Sequence, residues 1–193
     1  MSGADYILGL LAIITGLAIS DMIVSLHGLL INRRYVKWDW LPLVAAACVL
    51  LLIISTWRHL YAGLQGSVKG PPIWVFVMIL TQNIGLYLAA RAALPDRAHI
   101  GEPCDLRAHY DFVDRYLWSG LALSYGAFIF LGALEPILLG NLQFPSTFFH
   151  ALTGLPVILA LVIWPSRKLH RIIVPLFFLW ICVRVLPARL LIA

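Results

Sequence analysis

Residues 6–32 read YILGLLAIITGLAISDMIVSLHGLLIN, a long apolar run interrupted by a single acidic residue, Asp21. An α-helix rises about 1.5 Å per residue, so roughly 20 residues cross the hydrocarbon core of a bilayer. The run exceeds that length, and the residues before it carry no Lys or Arg, unlike those of a cleaved signal peptide. It therefore predicts a membrane-spanning helix that stays in the mature protein.

The rest of the chain repeats this apolar pattern. Hydrophobic residues make up 62% of the 193 residues and charged residues 12%, about half of the charged fraction usual in soluble domains. No linker or repeat divides the chain, so we predict one domain over residues 1–193. The sequence predicts an all-α integral membrane protein, a bundle of six transmembrane helices joined by short loops. The predicted helices cover residues 6–32, 40–58, 73–92, 115–139, 146–164 and 172–192.

The 14 Lys and Arg residues are distributed unevenly between the two sides of this predicted bundle. Ten of them follow the first, third and fifth segments, and the positive-inside rule assigns that side to the cytoplasm. Both termini are then non-cytoplasmic, and the bacterial inner membrane is the predicted location. The net charge of +5 follows from this topology, so we expect the lipid bilayer, not nucleic acid, as the partner. The ten are Arg33, Arg34, Lys37, Arg91, Arg97, Arg107, Arg115, Arg167, Lys168 and Arg171.

Two charges inside the predicted helices, Asp21 in the first and Arg184 in the last, have nearly the same predicted depth. Asp21 is eleven residues, about 17 Å, and Arg184 twelve residues, about 18 Å, from the cytoplasmic ends of their segments. A charge at this depth is disfavoured by about 2.5 to 3.5 kcal/mol on the insertion scale, so we predict an Asp21–Arg184 ion pair. The pair would either fix helix register or act as a functional gate. A second predicted pair, Glu135 with Arg189, lies near the outer interface, where both side chains could instead snorkel to water.

Further polar side chains accompany the predicted Asp21–Arg184 pair in the hydrocarbon region. Ser20 is adjacent to its carboxylate, and Gln82 and Asn83 lie about 13 to 15 Å inside the cytoplasmic edge of the third segment. Buried amides need hydrogen-bond partners where water is absent. With His27, about 8 Å deep, these residues predict either a polar track from the cytoplasm or hydrogen bonds across helices that serve packing alone.

The longest predicted loop, residues 92–114, lies on the cytoplasmic side. We predict that residues 109–115 begin a helix that projects from the membrane and continues into the fourth segment, with Asp105 as its N-cap. This loop is the largest soluble part of the chain. It is the surface where we expect a cytoplasmic protein partner to dock.

Motifs for enzymatic chemistry are absent from the sequence, which has no G-x-S-x-G, H-E-x-x-H, P-loop or dinucleotide-binding pattern. The six His residues fall at different predicted depths, and the three Cys residues have no paired spacing. We therefore expect neither a metal nor another cofactor, and we predict no catalytic site.

Two functional interpretations remain open. In the first, the protein is a small ion, proton or solute transport unit, or a channel-like unit, in which Asp21 titrates or gates against Arg184. Six short helices leave little room for a pore within a single subunit, so this interpretation favours a homo-oligomer. In the second, the protein is a non-catalytic membrane subunit or sensor that recruits a partner through residues 92–114.

Overall fold

The architecture is helical throughout, with one very short pair of strands. A computed structural model describes residues 3–64, 71–96, 103–138 and 146–185. The predicted all-α class is confirmed, and each of the six predicted helices is present among these residues. The helices are α1 (Gly3–Ile31), α2 (Trp40–Leu64), α3 (Ile73–Ala93), α4 (Leu106–Leu138), α5 (Ser146–Ile163) and α6 (Arg167–Val185), and the strands are β1 (Val36–Lys37) and β2 (Cys104–Asp105).

Four of the described helices are long and apolar enough to cross a membrane, and they mark this chain as membrane-embedded. They span Asp5–Ile31, Trp40–Leu64, Ile73–Ala93 and Leu106–Leu134. Helix α5 contributes a shorter apolar stretch, Ala151–Ile163. Helix α6 carries basic residues in its first turns and again at Arg184. The number of crossings beyond four stays a prediction.

Residues 109–115 are helical and belong to the start of α4, as predicted, whereas their projection from the membrane stays a prediction. The backbone N–H groups of Arg107 and Ala108 donate to the Asp105 carboxylate at 3.0 and 3.1 Å, as an N-cap requires. The predicted loop 92–114 is therefore shorter than expected, because its second half is helical. Strand β1 pairs in parallel with β2 and fastens the rest of this loop to the segment after α1.

Helix α3 packs against α4 at backbone contact distance. A Cβ atom placed on Gly85 would lie 2.7 Å from the Gly120 carbonyl oxygen and 2.9 Å from the Ser124 nitrogen. Small residues permit this approach, which drives helix association in lipid through packing. Helix α5 packs on α4, α1 packs on α2 and α3, and α6 packs on α2 and α5.

We call the end of the bundle where α2, α4 and α6 begin the basal end, and the opposite end the distal end. A buried polar network lies at the basal end. The Tyr110 hydroxyl lies 3.0 Å from Nδ1 of His170 and accepts a hydrogen bond of 3.1 Å from the Trp118 indole. Nε2 of His170 lies 3.1 Å from the Leu161 carbonyl oxygen. A proton on Nε2 can be donated to that carbonyl while Nδ1 accepts from the Tyr110 hydroxyl, and every polar group in this network then has a partner.

An arginine joins three helices beside this network. The Arg167 guanidinium donates to the carboxylates of Asp39, before α2, and Asp111, on α4. The other Asp39 oxygen accepts from the Leu41 backbone N–H at 3.0 Å and so also caps α2. Helix α6 begins at this arginine, five residues before the predicted start at residue 172.

Candidate functional site

A cavity of about 340 Å³ lies inside the bundle and is lined by residues of α2, α3, α4, α5 and α6. This volume is within the range of small-molecule sites, about 300 to 1,000 Å³. Its lining combines an apolar wall with polar and cationic groups. The lining residues include Leu52, Ser55, Thr56, Arg58, His59, Gln82, Leu86, Ser124, Tyr125, Phe128, Trp180, Ile181, Val183 and Arg184.

The distal part of the lining is cationic. Arg58 lies 18 residues after the start of α2, about 27 Å along it, and Arg184 lies 17 residues after the start of α6, about 26 Å. His59 joins them, and its Nδ1 lies 2.7 Å from the Ser55 carbonyl oxygen. Donation to that carbonyl leaves Nε2 of His59 available to a ligand. We call Arg58 and Arg184 the cationic rim.

The deep part of the cavity carries neutral polar groups. Gln82 and Ser124 are buried, with 4% and 3% of their surfaces exposed, and both line the cavity. Gln82 lies eleven residues, about 17 Å, from the basal end of α3. Among the described residues its amide has no hydrogen-bond partner. A buried amide in lipid requires one, so water or a ligand in the cavity must supply it.

One lining residue of α6 is also exposed on the outside of the bundle. Val183 lines the cavity and is also 70% exposed on the outer surface of the bundle. Its neighbours on that surface, Leu176 and Leu179, are exposed and apolar. This side of the cavity therefore faces the region that lipid would occupy.

The structure corrects the predicted Asp21–Arg184 ion pair. Asp21 Oδ2 lies 3.3 Å from Nη1 of Arg91, whose Nη2 lies 3.3 Å from Asp96. Arg91 is two residues from the basal end of α3, whereas Arg184 belongs to the cationic rim near the distal end. The prediction failed because α6 starts earlier than expected, which moves Arg184 out of the middle of the bundle. The Asp21–Arg91 pair is partly exposed, and such pairs contribute little in solution.

The other predicted polar residues separate into two groups. Gln82 lines the cavity together with Arg184, whereas Ser20 and His27 are exposed on α1, which contributes no residue to the described lining. Asn83 is buried, and its side-chain amide donates to the Ile79 carbonyl at 2.8 Å, so its hydrogen bond stays within α3. The predicted polar track therefore does not form as a continuous line.

The second predicted pair lies outside the described side chains. Glu135 is in the last turns of α4, where the backbone alone is described, and Arg189 follows the described part of α6.

Sequence reasoning missed Arg58 and His59 as site residues. The second segment was predicted to end at residue 58, which placed both at the water interface, but α2 continues to Leu64. Ser55, Arg58 and His59 follow the i, i+3, i+4 spacing of one helix face. From the sequence alone, that spacing could have indicated that the polar face of α2 continues past Trp57.

No cluster of three His, Cys, Asp or Glu side chains suited to a metal ion occurs in the described ranges. Comparisons with protein-family models, with curated proteins and with solved structures find no match to this chain.

Proposed function

We propose that this protein is a solute-binding unit of the transport class and that the cavity lined by Arg58, Gln82, Ser124 and Arg184 is its binding site. The observation that carries the proposal is the buried Gln82 amide, which lines the cavity without a partner among the described residues. Ionisable residues at membrane depth commonly face a substrate path. The cavity adds two arginines to an apolar wall, which is the composition of a site for a small organic solute.

Access to Ser124 tests this function. The variant Ser124→Cys is prepared with the three native cysteines replaced by Ser, and Ala89→Cys in the same background is the control. Ala89 is 0% exposed and does not line the cavity. A membrane-impermeant methanethiosulfonate is applied to sealed vesicles from either side. If the cavity is a transport site, the reagent should modify Ser124→Cys from both sides of the membrane and Ala89→Cys from neither side. A Ser124→Cys variant that is as unreactive as the control contradicts the proposal.

A second function, partner recruitment at the basal end, is favoured by Phe112. This side chain is 89% exposed on the first turns of α4, between the charged Asp111 and Asp114. An aromatic side chain at such a surface is the kind of anchor that protein interfaces use. We expect Phe112→Ser to abolish co-purification of a stoichiometric partner, while Phe130→Ser, on the membrane-spanning part of α4, leaves it intact. Equal recovery of the partner with both variants excludes this role.

We further propose six crossings, with the basal end in the cytoplasm of a bacterial inner membrane and with a homo-oligomer as the functional form. The concentration of basic residues at the basal end supports this orientation. Reporter fusions at both termini test it, because an even number of crossings predicts the same non-cytoplasmic phenotype for each. Mass measurement in native lipid tests the oligomer.

A further inference from the structure

We propose that the ligand of this cavity is a single-chain amphipathic anion, an acid head group on a hydrocarbon body, that enters sideways from the membrane past Val183. This inference rests on the proposed solute-binding function and specifies its substrate class. The acid group would bind at the cationic rim, and the hydrocarbon body would lie against the apolar wall.

The charge of the cavity lining determines which head group the ligand carries. Arg58 is half-buried, and among the described residues it makes no ion pair. None of the described lining residues is acidic. A cation in apolar surroundings needs a counter-charge, and a guanidinium binds carboxylate or phosphate oxygens through two parallel hydrogen bonds. The lining therefore selects an oxyacid anion.

The wall decides the body of the ligand. The apolar part of the lining includes Leu52, Leu86, Phe128, Trp180 and Ile181. A volume of 340 Å³ equals that of about eleven water molecules at roughly 30 Å³ each. It suits one hydrocarbon chain of medium length that lies against the apolar wall.

The neutral polar groups of the cavity determine a further preference among ligands. The buried Gln82 amide and the Ser124 hydroxyl offer hydrogen bonds inside the cavity. A polar group at the far end of the chain would satisfy the amide. A hydroxylated chain should therefore bind more tightly than an unsubstituted chain of the same length.

The route of entry follows from exposure. Val183 is 70% exposed beside an apolar outer surface, so a ligand dissolved in the membrane reaches the cavity without crossing water. An amphiphile concentrates in the membrane and can use this route. A small inorganic anion has no such advantage.

Binding is measured by thermal stabilisation of the protein in nanodiscs of neutral phosphatidylcholine. The probes are decanoate, decyl phosphate, decanol, decyltrimethylammonium, acetate and inorganic phosphate. We expect saturable stabilisation by decanoate, by decyl phosphate or by both, and none by the other four. The tighter of the two anionic amphiphiles identifies the head group as carboxylate or phosphate.

Variants locate the site. Arg58→Gln should weaken binding about tenfold or more, since a hydrogen bond to a charged group contributes about 1.5 to 3 kcal/mol. Arg58→Lys should retain part of the affinity, and Arg171→Gln, an exposed position of α6 outside the cavity, should retain all of it. The ω-hydroxy derivative of decanoate should bind more tightly than decanoate, and Gln82→Leu should remove that difference. If Arg58→Gln fails to fold, the Gln82→Leu comparison still tests the site.

Two failures are distinguishable. If decanol or the cationic probe binds as tightly as decanoate, or if acetate or inorganic phosphate does, the amphipathic anion is wrong while the cavity remains a binding site. If Ser124→Cys is also unreactive to the water-soluble thiol reagent, the proposed function itself is wrong.

Discussion

The contact between α3 and α4 predicts that Gly85→Ala destabilises the bundle. The added Cβ would meet the Gly120 carbonyl oxygen at 2.7 Å and the Ser124 nitrogen at 2.9 Å, and backbone atoms cannot rotate away. Overpacking costs about 1 to 3 kcal/mol, and backbone contact favours the upper part of that range. Replacing Gly by Ala in a helix recovers up to about 1 kcal/mol. We therefore expect a net loss of about 1 to 2 kcal/mol in the free energy of unfolding.

Gly126→Ala is the matched control, because no heavy atom lies within 4 Å of its added Cβ. It gains the same helix propensity without the clash, so its stability should rise or stay unchanged. Reversible unfolding in mixed micelles with increasing SDS measures both variants. Gly85→Ala should also displace Ser124 and alter the reactivity of Ser124→Cys. If Gly85→Ala proves as stable as Gly126→Ala, the close approach of α3 and α4 is wrong.

Other groups at the basal end give three further predictions. Tyr110→Phe leaves two buried hydrogen-bonding groups without a partner and should cost about 2 to 4 kcal/mol in SDS unfolding, more than Tyr→Phe at an exposed position. Asp39→Asn breaks a largely buried ion pair and should cost about 3 kcal/mol, whereas Asp111→Asn, with a more exposed carboxylate, should cost less than 1. The N–H groups at the start of α4, Ala108 first, hold the pKa of Asp105 below its ordinary value of 3.8. This stabilisation is complete above that value and is lost as the pH falls below it through the folded-state pKa. Asp105→Asn should therefore make the melting temperature depend less on pH in the acid range.

The helices could be predicted from the sequence because apolar length and local caps determine them. The starts of α2 and α3 agree with the predicted segments, and Asp105 identified the start of α4. The predicted ends were less accurate, because Arg58 and His59 were assigned to the water interface when they lie inside α2. A charged residue near a membrane surface and one lining a cavity look alike in sequence.

The site could be predicted in part. Gln82 and Arg184 were singled out from the sequence as unusual polar residues, and both line the cavity. Their partners depend on which helices pack together and on where α6 begins, which no local pattern specifies. Asp21 therefore pairs with Arg91 on α3, a residue that the sequence had assigned to topology alone.

Protection of Ser124→Cys by decanoate tests the central claim most directly. The rate of modification by a water-soluble methanethiosulfonate is measured in nanodiscs with and without decanoate. The proposed site predicts that decanoate slows the reaction, that decanol does not, and that Arg58→Gln removes the protection. An unchanged rate in saturating decanoate would contradict the assignment of this cavity to an amphipathic anion.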